Sequence, residues 1–198
     1  KYLQGLNYCC LLSLISEKLH QGQSQKYQRL IVEPICNYLY KQVYERYSLL
    51  YNYYMSIKVY TDGACKGNPG RGGWGVLIII GQSRKEFYGG EPNSTNNIME
   101  MQAAIEALKH LKGTSECVEL HTDSNYLKQG ITDWINKWKI NGWKNASRKP
   151  VANKDLWVEL DMLCSNMNMK WKWVKAHDGE PGNERADYLA NLGVDCVS

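Results

Sequence analysis

The chain is poor in several things that would have narrowed its class at once. It has one phenylalanine and five prolines among 198 residues, and its first 54 residues contain neither tryptophan nor aspartate. No apolar run reaches the length of a membrane-spanning helix, about 18 residues. The short apolar patch at 11–15 is interrupted by Ser13 and is too brief for a signal core. Seven cysteines are present, an odd number with no repeated Cys-x-x-Cys spacing, which points to reduced thiols in a cytoplasmic setting rather than a disulfide framework. The formal charge of +4 is too mild to demand a polyanionic partner, so the placement of charge matters more than its sum.

What is present divides the chain at about residue 55. Residues 1–54 hold ten of the fourteen tyrosines, whereas all seven tryptophans lie from Trp74 onward. Ile31, Ile35, Leu39, Val43, Tyr47 and Leu50 recur at helical spacing, predicting a helix over about 34–52, with a second over about 6–20. This Tyr-rich extension carries no chemical constellation. It reads either as a basic docking or targeting segment or as sequence upstream of a natural start at Met55, and the second reading is the one we expect. The functional domain is then 55–198.

From Ser56 the pattern changes to strands. The stretch 58–74 reads Lys-Val-Tyr-Thr-Asp-Gly-Ala-Cys-Lys-Gly-Asn-Pro-Gly-Arg-Gly-Gly-Trp, a β-branched run that ends on Asp62 and passes into a Gly-rich turn. Taken alone, a hairpin turn with a capping aspartate is the simpler reading. Further strands are predicted over 73–80, 85–90, 118–122 and 169–173, with an 81–84 turn joining the second and third. Helices are predicted over about 98–111, 125–129, 132–141 (after an interruption at Gly130), 156–164 capped by Asp155, and 183–192. Strands in a hairpin series followed by strands alternating with helices give an α/β fold with a mixed sheet.

Four carboxylates occupy telling places in this scheme: Asp62 and Asp123 at the ends of the first and fourth strands, Glu100 in a first helical turn, and Asp187 in the last helix. Each has an ordinary reading as a cap or a surface acid. Together, if those two strands are neighbours, they make a cluster that repels itself unless cations neutralise it. Hard oxygen ligands suit Mg²⁺ or Mn²⁺, and two such ions about 3.5–4 Å apart support in-line phosphodiester displacement. His177 lies in a loop with Gly179, Pro181 and Gly182, where it reads equally as a proton shuttle and as an exposed loop residue. Between 134 and 154, six Lys or Arg residues alternate with Trp134, Trp138 and Trp143, a pattern that serves an amphipathic core helix, a phosphate-tracking surface, or both.

The residues from about 57 to 194 resemble ribonuclease H type 1, the bacterial ribonuclease HI form in particular. The motifs are Tyr-Thr-Asp-Gly-Ala-Cys-Lys-Gly-Asn-Pro-Gly at 60–70, Thr-Asn-Asn-Ile-Met-Glu-Met at 95–101, Thr-Asp-Ser-Asn-Tyr at 122–126, and Trp-Val-Lys-Ala-His-Asp-Gly at 173–179 followed by Asn-Glu-Arg-Ala-Asp at 183–187. The resemblance implies a ribonuclease H-like fold, a five-stranded mixed sheet flanked by helices. It implies an endonuclease that cuts the RNA strand of an RNA–DNA hybrid with two Mg²⁺ ions, Mn²⁺ being a substitute, and leaves 5′-phosphate and 3′-hydroxyl ends. Asp62, Glu100, Asp123 and Asp187 fall on the family's metal-binding acids and His177 on its mobile histidine. Cys65, Asn68, Asn96, Asn97, Asn125 and Gln129 fall on hybrid-contacting positions around RNA 2′-hydroxyls, the groups that distinguish RNA from DNA. Thr95 and Asn153 fall on a DNA-phosphate pocket, Trp134 on the DNA-strand groove, and 134–154 on the basic protrusion. Two positions depart from the pattern: Asn93 stands where some relatives place arginine, and Asn125 where glutamine is commoner. The implied setting is a cytoplasmic monomer, acting on replication primers and R-loops and on no membrane.

Overall fold

A computed structural model of the chain describes residues 56–197 and six earlier positions, Pro34, Asn37, Tyr38, Lys41, Gln42 and Glu45. Those six are helical and exposed, inside the helix expected over 34–52. The rest of that helix and the one expected over 6–20 lie outside the described residues.

Five strands among the described residues form one sheet: β1 (Ile57–Gly67), β2 (Gly70–Ile80), β3 (Ser83–Ser94), β4 (Cys117–Thr122) and β5 (Asn168–Trp173). Their spatial order is β3-β2-β1-β4-β5, with β1–β2 and β2–β3 antiparallel and β1–β4 and β4–β5 parallel. From residue 56 onward the described α-helices are α1 (Asn96–His110), α2 (Asn125–Gln129), α3 (Ile135–Ile140), α4 (Lys154–Cys164) and α5 (Pro181–Asp195). This is the expected mixed sheet flanked by helices. Strand alternation sorts the side chains by face. Ile57, Val59, Val76 and Ile78 join the main core with Met101, Ile105 and Leu108 of α1 and Trp157 and Leu160 of α4. Tyr60 and Leu77 point the other way and meet Ala186 of α5. No described helix is long and apolar enough to cross a membrane. Cys65, Cys117, Cys164 and Cys196 are free thiols.

Several local expectations are corrected. β1 does not break at Asp62 but runs five residues further, pairing through Gly67↔Gly70, so the Gly-rich stretch is strand and the hairpin turns at Asn68-Pro69. The reason is packing, since the glycines of β2 leave room for α5: a Cβ on Gly73 would strike the backbone of Ala190 and Val194. β3 likewise extends to Ser94 and tolerates Pro92 because it is an edge strand. Gly130 does not interrupt its helix. It opens a π-helical turn (Gly130–Trp134) that joins α2 to α3, and its missing side chain is what admits the Trp157 indole. α4 starts at Lys154, and the residue before it, Asn153, is left-handed (φ 57°), so Asp155 lies inside the first turn instead of capping it.

Candidate active site

The site is built where β1 and β4 part. Their parallel pairing ends at Tyr60↔His121; Asp62 lies two residues further along β1 and Asp123 one residue past β4, both at the carboxyl end of this parallel pair. In α/β sheets this end is where ligands bind. Glu100 arrives from α1. The helix begins at the Thr95 cap, whose hydroxyl accepts from the Ile98 N–H at 3.4 Å. It crosses β1 at Gly63, where a Cβ would overlap the backbone of Met99 and Glu100. Glycine at 63 thus lets the helix lie close enough to bring Glu100 to Asp62. One carboxylate oxygen from each of Asp62, Glu100 and Asp123 can lie within 4.8 Å of the others.

Burial makes this arrangement electrostatically costly. Asp62 and Glu100 are only 6% and 4% exposed. Loss of water, then the Asp123 charge and, more weakly, Asp187, push the Asp62 carboxyl up to about 8, against a weaker opposing bond from the Gly63 N–H at 2.8 Å. Glu100 is raised well above its ordinary value by burial first and then by Asp62 and Asp123. Its Oε1 accepts a long bond from Asn96 (3.5 Å), and its Oε2 is buried with no hydrogen-bond partner. An orphaned carboxylate oxygen beside two further acids fits a hard divalent cation, which would satisfy the oxygen and cancel the repulsion.

A pH effect follows from these shifts. With chelator present, the folded protein holds protons on Asp62 and Glu100 that the unfolded chain releases at ordinary carboxylate values, about 4. For Asp62 that contribution to stability is complete below those values and is lost as pH rises through about 8, and the contribution of Glu100 is lost in the same direction. The melting temperature in chelator should therefore fall between about pH 5 and pH 8, and Mg²⁺ at the upper pH should restore it. Scanning calorimetry checks both; a flat profile would show that the acids do not repel.

Asp187, on α5, lines the same cleft but stands outside the group of three, and its Oδ1 accepts from Asn191 at 3.1 Å. The cleft encloses ≈ 380 Å³ and is also lined by His177, Asn96, Asn97 and Asn125. His177 is exposed and left-handed (φ 52°). The other expected substrate residues do not line this cleft. Cys65, half-buried on β1, points its thiol at the carbonyls of Ser94 and Gly70, and Asn68 is exposed at the hairpin tip. Thr95 caps α1 with its hydroxyl as acceptor, Gln129 is exposed at the end of α2, and Asn153 donates to the Tyr126 hydroxyl at 3.4 Å. Trp134 is half-buried, edge-on to Tyr126 and tilted on Trp138.

Sequence reasoning missed Asn183. It is 2% exposed, and its Nδ2 donates to Asp123 Oδ2 at 3.0 Å across 60 residues of sequence. The Trp173 indole holds the same residue by its backbone carbonyl, also at 3.0 Å. Nothing local to Asn183 distinguishes it from any polar residue in a first helical turn.

The sheet order and the acid cluster fit the ribonuclease H-like fold. The comparisons agree. The RNase H family model matches residues 55–195. A ribonuclease H of Cupriavidus necator is 56% identical over 141 residues, covering 71% of this chain and 97% of that protein. A crystal structure of a type 1 RNase H with the type 2 active-site motif superposes with a TM-score of 0.66 at 33% identity, covering 73% of this chain and 74% of the other. Another RNase H1, solved in complex with RNA/DNA hybrid, gives a TM-score of 0.53 at 25% identity, covering 70% and 96%. The chain belongs to the ribonuclease H family of endonuclease hydrolases.

Proposed function

We propose that this chain hydrolyses the RNA strand of RNA–DNA hybrids, with two Mg²⁺ ions held by Asp62, Glu100, Asp123 and Asp187, to give 5′-phosphate and 3′-hydroxyl ends. The observation that carries the reading is the trio of acids, two of them buried and one of those with an orphaned oxygen, in a cleft that also presents the amides of Asn96, Asn97 and Asn125. Bound there, the ions would supply activation of water and stabilisation of the leaving oxygen, and Mn²⁺ would substitute. The chain's own residues do the rest. Asp62 is the shared central ligand, and Asn183 fixes the Asp123 carboxylate by one oxygen and leaves the other free. His177, at the open side of the cleft, moves a proton and helps product leave. Asn96, Asn97 and Asn125 read the RNA 2′-hydroxyl from the cleft, with Cys65, Asn68 and Gln129 extending that surface. Thr95 and Asn153 grip a DNA phosphate, and Trp134 with the basic 134–154 segment tracks the DNA strand.

Labelled RNA–DNA hybrid, duplex DNA and duplex RNA, each incubated with the protein and Mg²⁺, test the substrate assignment. Cutting confined to the RNA of the hybrid is expected, and equal cutting of either homoduplex would overturn it. A cytoplasmic monomer removing replication primers and R-loops is the setting we infer for this chemistry.

We also place the catalytic domain at 55–198, apart from the Tyr-rich 1–54. The four acids, His177 and every expected substrate residue lie beyond residue 55. A polypeptide beginning at Met55 should fold and cleave hybrid at an unchanged rate; an insoluble or inert product would assign 1–54 to the working enzyme.

A further inference from the structure

On the α5 side of the sheet, two residues ahead of Asp62 on the same strand, sits a group of polar side chains that takes no part in the chemistry above. Tyr60 is 5% exposed, and its hydroxyl donates to Glu180 Oε1 at 2.9 Å, joining positions 120 residues apart. Its ring makes two close contacts. On one side it stacks on the His121 imidazole, centroids 4.5 Å apart and planes 29° from parallel. Gly182 rests against the ring as well, so closely that a Cβ there would overlap it. His121 Nε2 in turn meets Glu119 Oε1 at 2.8 Å, and Lys172 Nζ meets the same oxygen at 2.9 Å. A continuous set of contacts therefore runs from β5 through β4 and β1 to the start of α5.

Its end point matters most. Glu180 is the residue that caps α5, and it makes no side-chain capping bond to the helix. Its carboxylate is used instead to accept from Tyr60. Three residues later Asn183 donates to Asp123, and one turn further Asp187 faces the cleft. Immediately before Glu180 runs the exposed segment that carries His177, with left-handed backbone at His177 and Gly179. At its other end that segment is tied to the sheet by the Val174 N–H, which donates to the Thr122 carbonyl at 3.0 Å. Tyr60–Glu180 is the side-chain bond that ties the near end. Burial and the Glu180 charge raise the phenol well above its ordinary value, so it stays a donor throughout the working range.

We propose that Tyr60 is a positioning residue for the acid cluster: by bonding Glu180 it seats the first turn of α5 against β1, and so sets Asn183 and Asp187 relative to Asp62 and Asp123. The inference rests on the metal-site reading above, and its test separates the two. Tyr60→Phe removes the hydroxyl and keeps the ring that His121 and Gly182 contact. Mn²⁺ binding to the full chain without substrate is measured by calorimetric titration, beside hybrid cleavage at saturating Mg²⁺ and thermal melting. In Tyr60→Phe we expect Mn²⁺ affinity to fall by about tenfold, as is usual when a partner that orients metal ligands is lost. The cleavage rate should fall with it while KM for hybrid holds. Glu180→Ala should reproduce the loss, and the double variant should be no worse than either single one. Glu180→Gln, whose amide oxygen still accepts from the phenol, should recover most of the affinity. Wild-type Mn²⁺ affinity in Tyr60→Phe, even with a lowered melting temperature, would overturn the positioning role and leave a merely structural bond. No Mn²⁺ binding by the unaltered chain would instead overturn the metal-site reading on which the role depends.

Discussion

Asp62→Asn is expected to lower hybrid cleavage by at least about a thousandfold while hybrid binding persists. The side chain keeps its size, so the hairpin and the cleft should be unaltered. What is lost is the charge at the point where the other acids converge on it. In the binding mode proposed above, hybrid is held by amides, indoles and lysines spread over the rest of the surface, so its affinity should change little. The same substitution should raise stability in chelator. Asp62 contributes repulsion to Glu100 and is buried at a cost that an amide does not incur. A variant that is less active and more stable is the mark of strain held at a site for function. Single-turnover cleavage, a binding isotherm in Ca²⁺ and a melting curve together check it. Activity near the unaltered level would remove Asp62 from the metal site.

The second large effect concerns the support for α5. Gly73→Ala should lower stability by about 3 kcal/mol or more and the melting temperature by about 10 °C. The added methyl would overlap the Ala190 carbonyl and the Val194 N–H, which are backbone atoms and cannot rotate aside. Relief requires α5 to lift from β2, and α5 carries Asn183 and Asp187. Activity should therefore fall further than stability alone requires, even at temperatures where the variant is fully folded. The natural control is Gly113→Ala, because glycine 113 has open space around its Cβ position; its left-handed φ of 90° limits the cost to backbone strain. If Gly73→Ala melts no lower than that control, α5 does not rest on β2 as described.

These two substitutions mark what the sequence made legible. Asp62 could be picked out because a carboxylate following a β-branched run invites attention, and because three more acids fell at comparable element ends. The strand order that makes them converge could be stated only as a condition, that the first and fourth strands be neighbours. Gly73 was placed in the second strand, but the Gly-rich stretch before it was misread as a turn, and for a physical reason. Glycine, asparagine and proline in succession have the local preferences of a loop, and only the weight of α5 on β2 makes glycine necessary in a paired strand. Gly130 was misread in the same way, since a helix-breaking residue and one that yields to the Trp157 ring look identical in one dimension. Asn183 and Tyr60 were invisible, as their partners lie 60 and 120 residues away. The tryptophans of 134–154 fit the amphipathic core-helix reading. Trp134 and Trp138 are half-buried in a chain of rings with Tyr126 and Trp157, while the lysines and arginine around them face outward.

The central claim is metal-dependent hydrolysis by the carboxylate cluster, and the chemistry of the cut ends tests it most directly. Internally labelled RNA paired with DNA is incubated with the protein in Mg²⁺ or in chelator, and the RNA fragments are analysed for their termini. Water delivered at the acids leaves the 2′-hydroxyl intact, so the account predicts fragments with 5′-phosphates and 3′-hydroxyls in Mg²⁺ and uncut RNA in chelator. Fragments ending in 2′,3′-cyclic or 3′-phosphate would mean that the RNA's own 2′-hydroxyl attacks, cutting that survives the chelator would mean that no bound metal is needed, and either would contradict it.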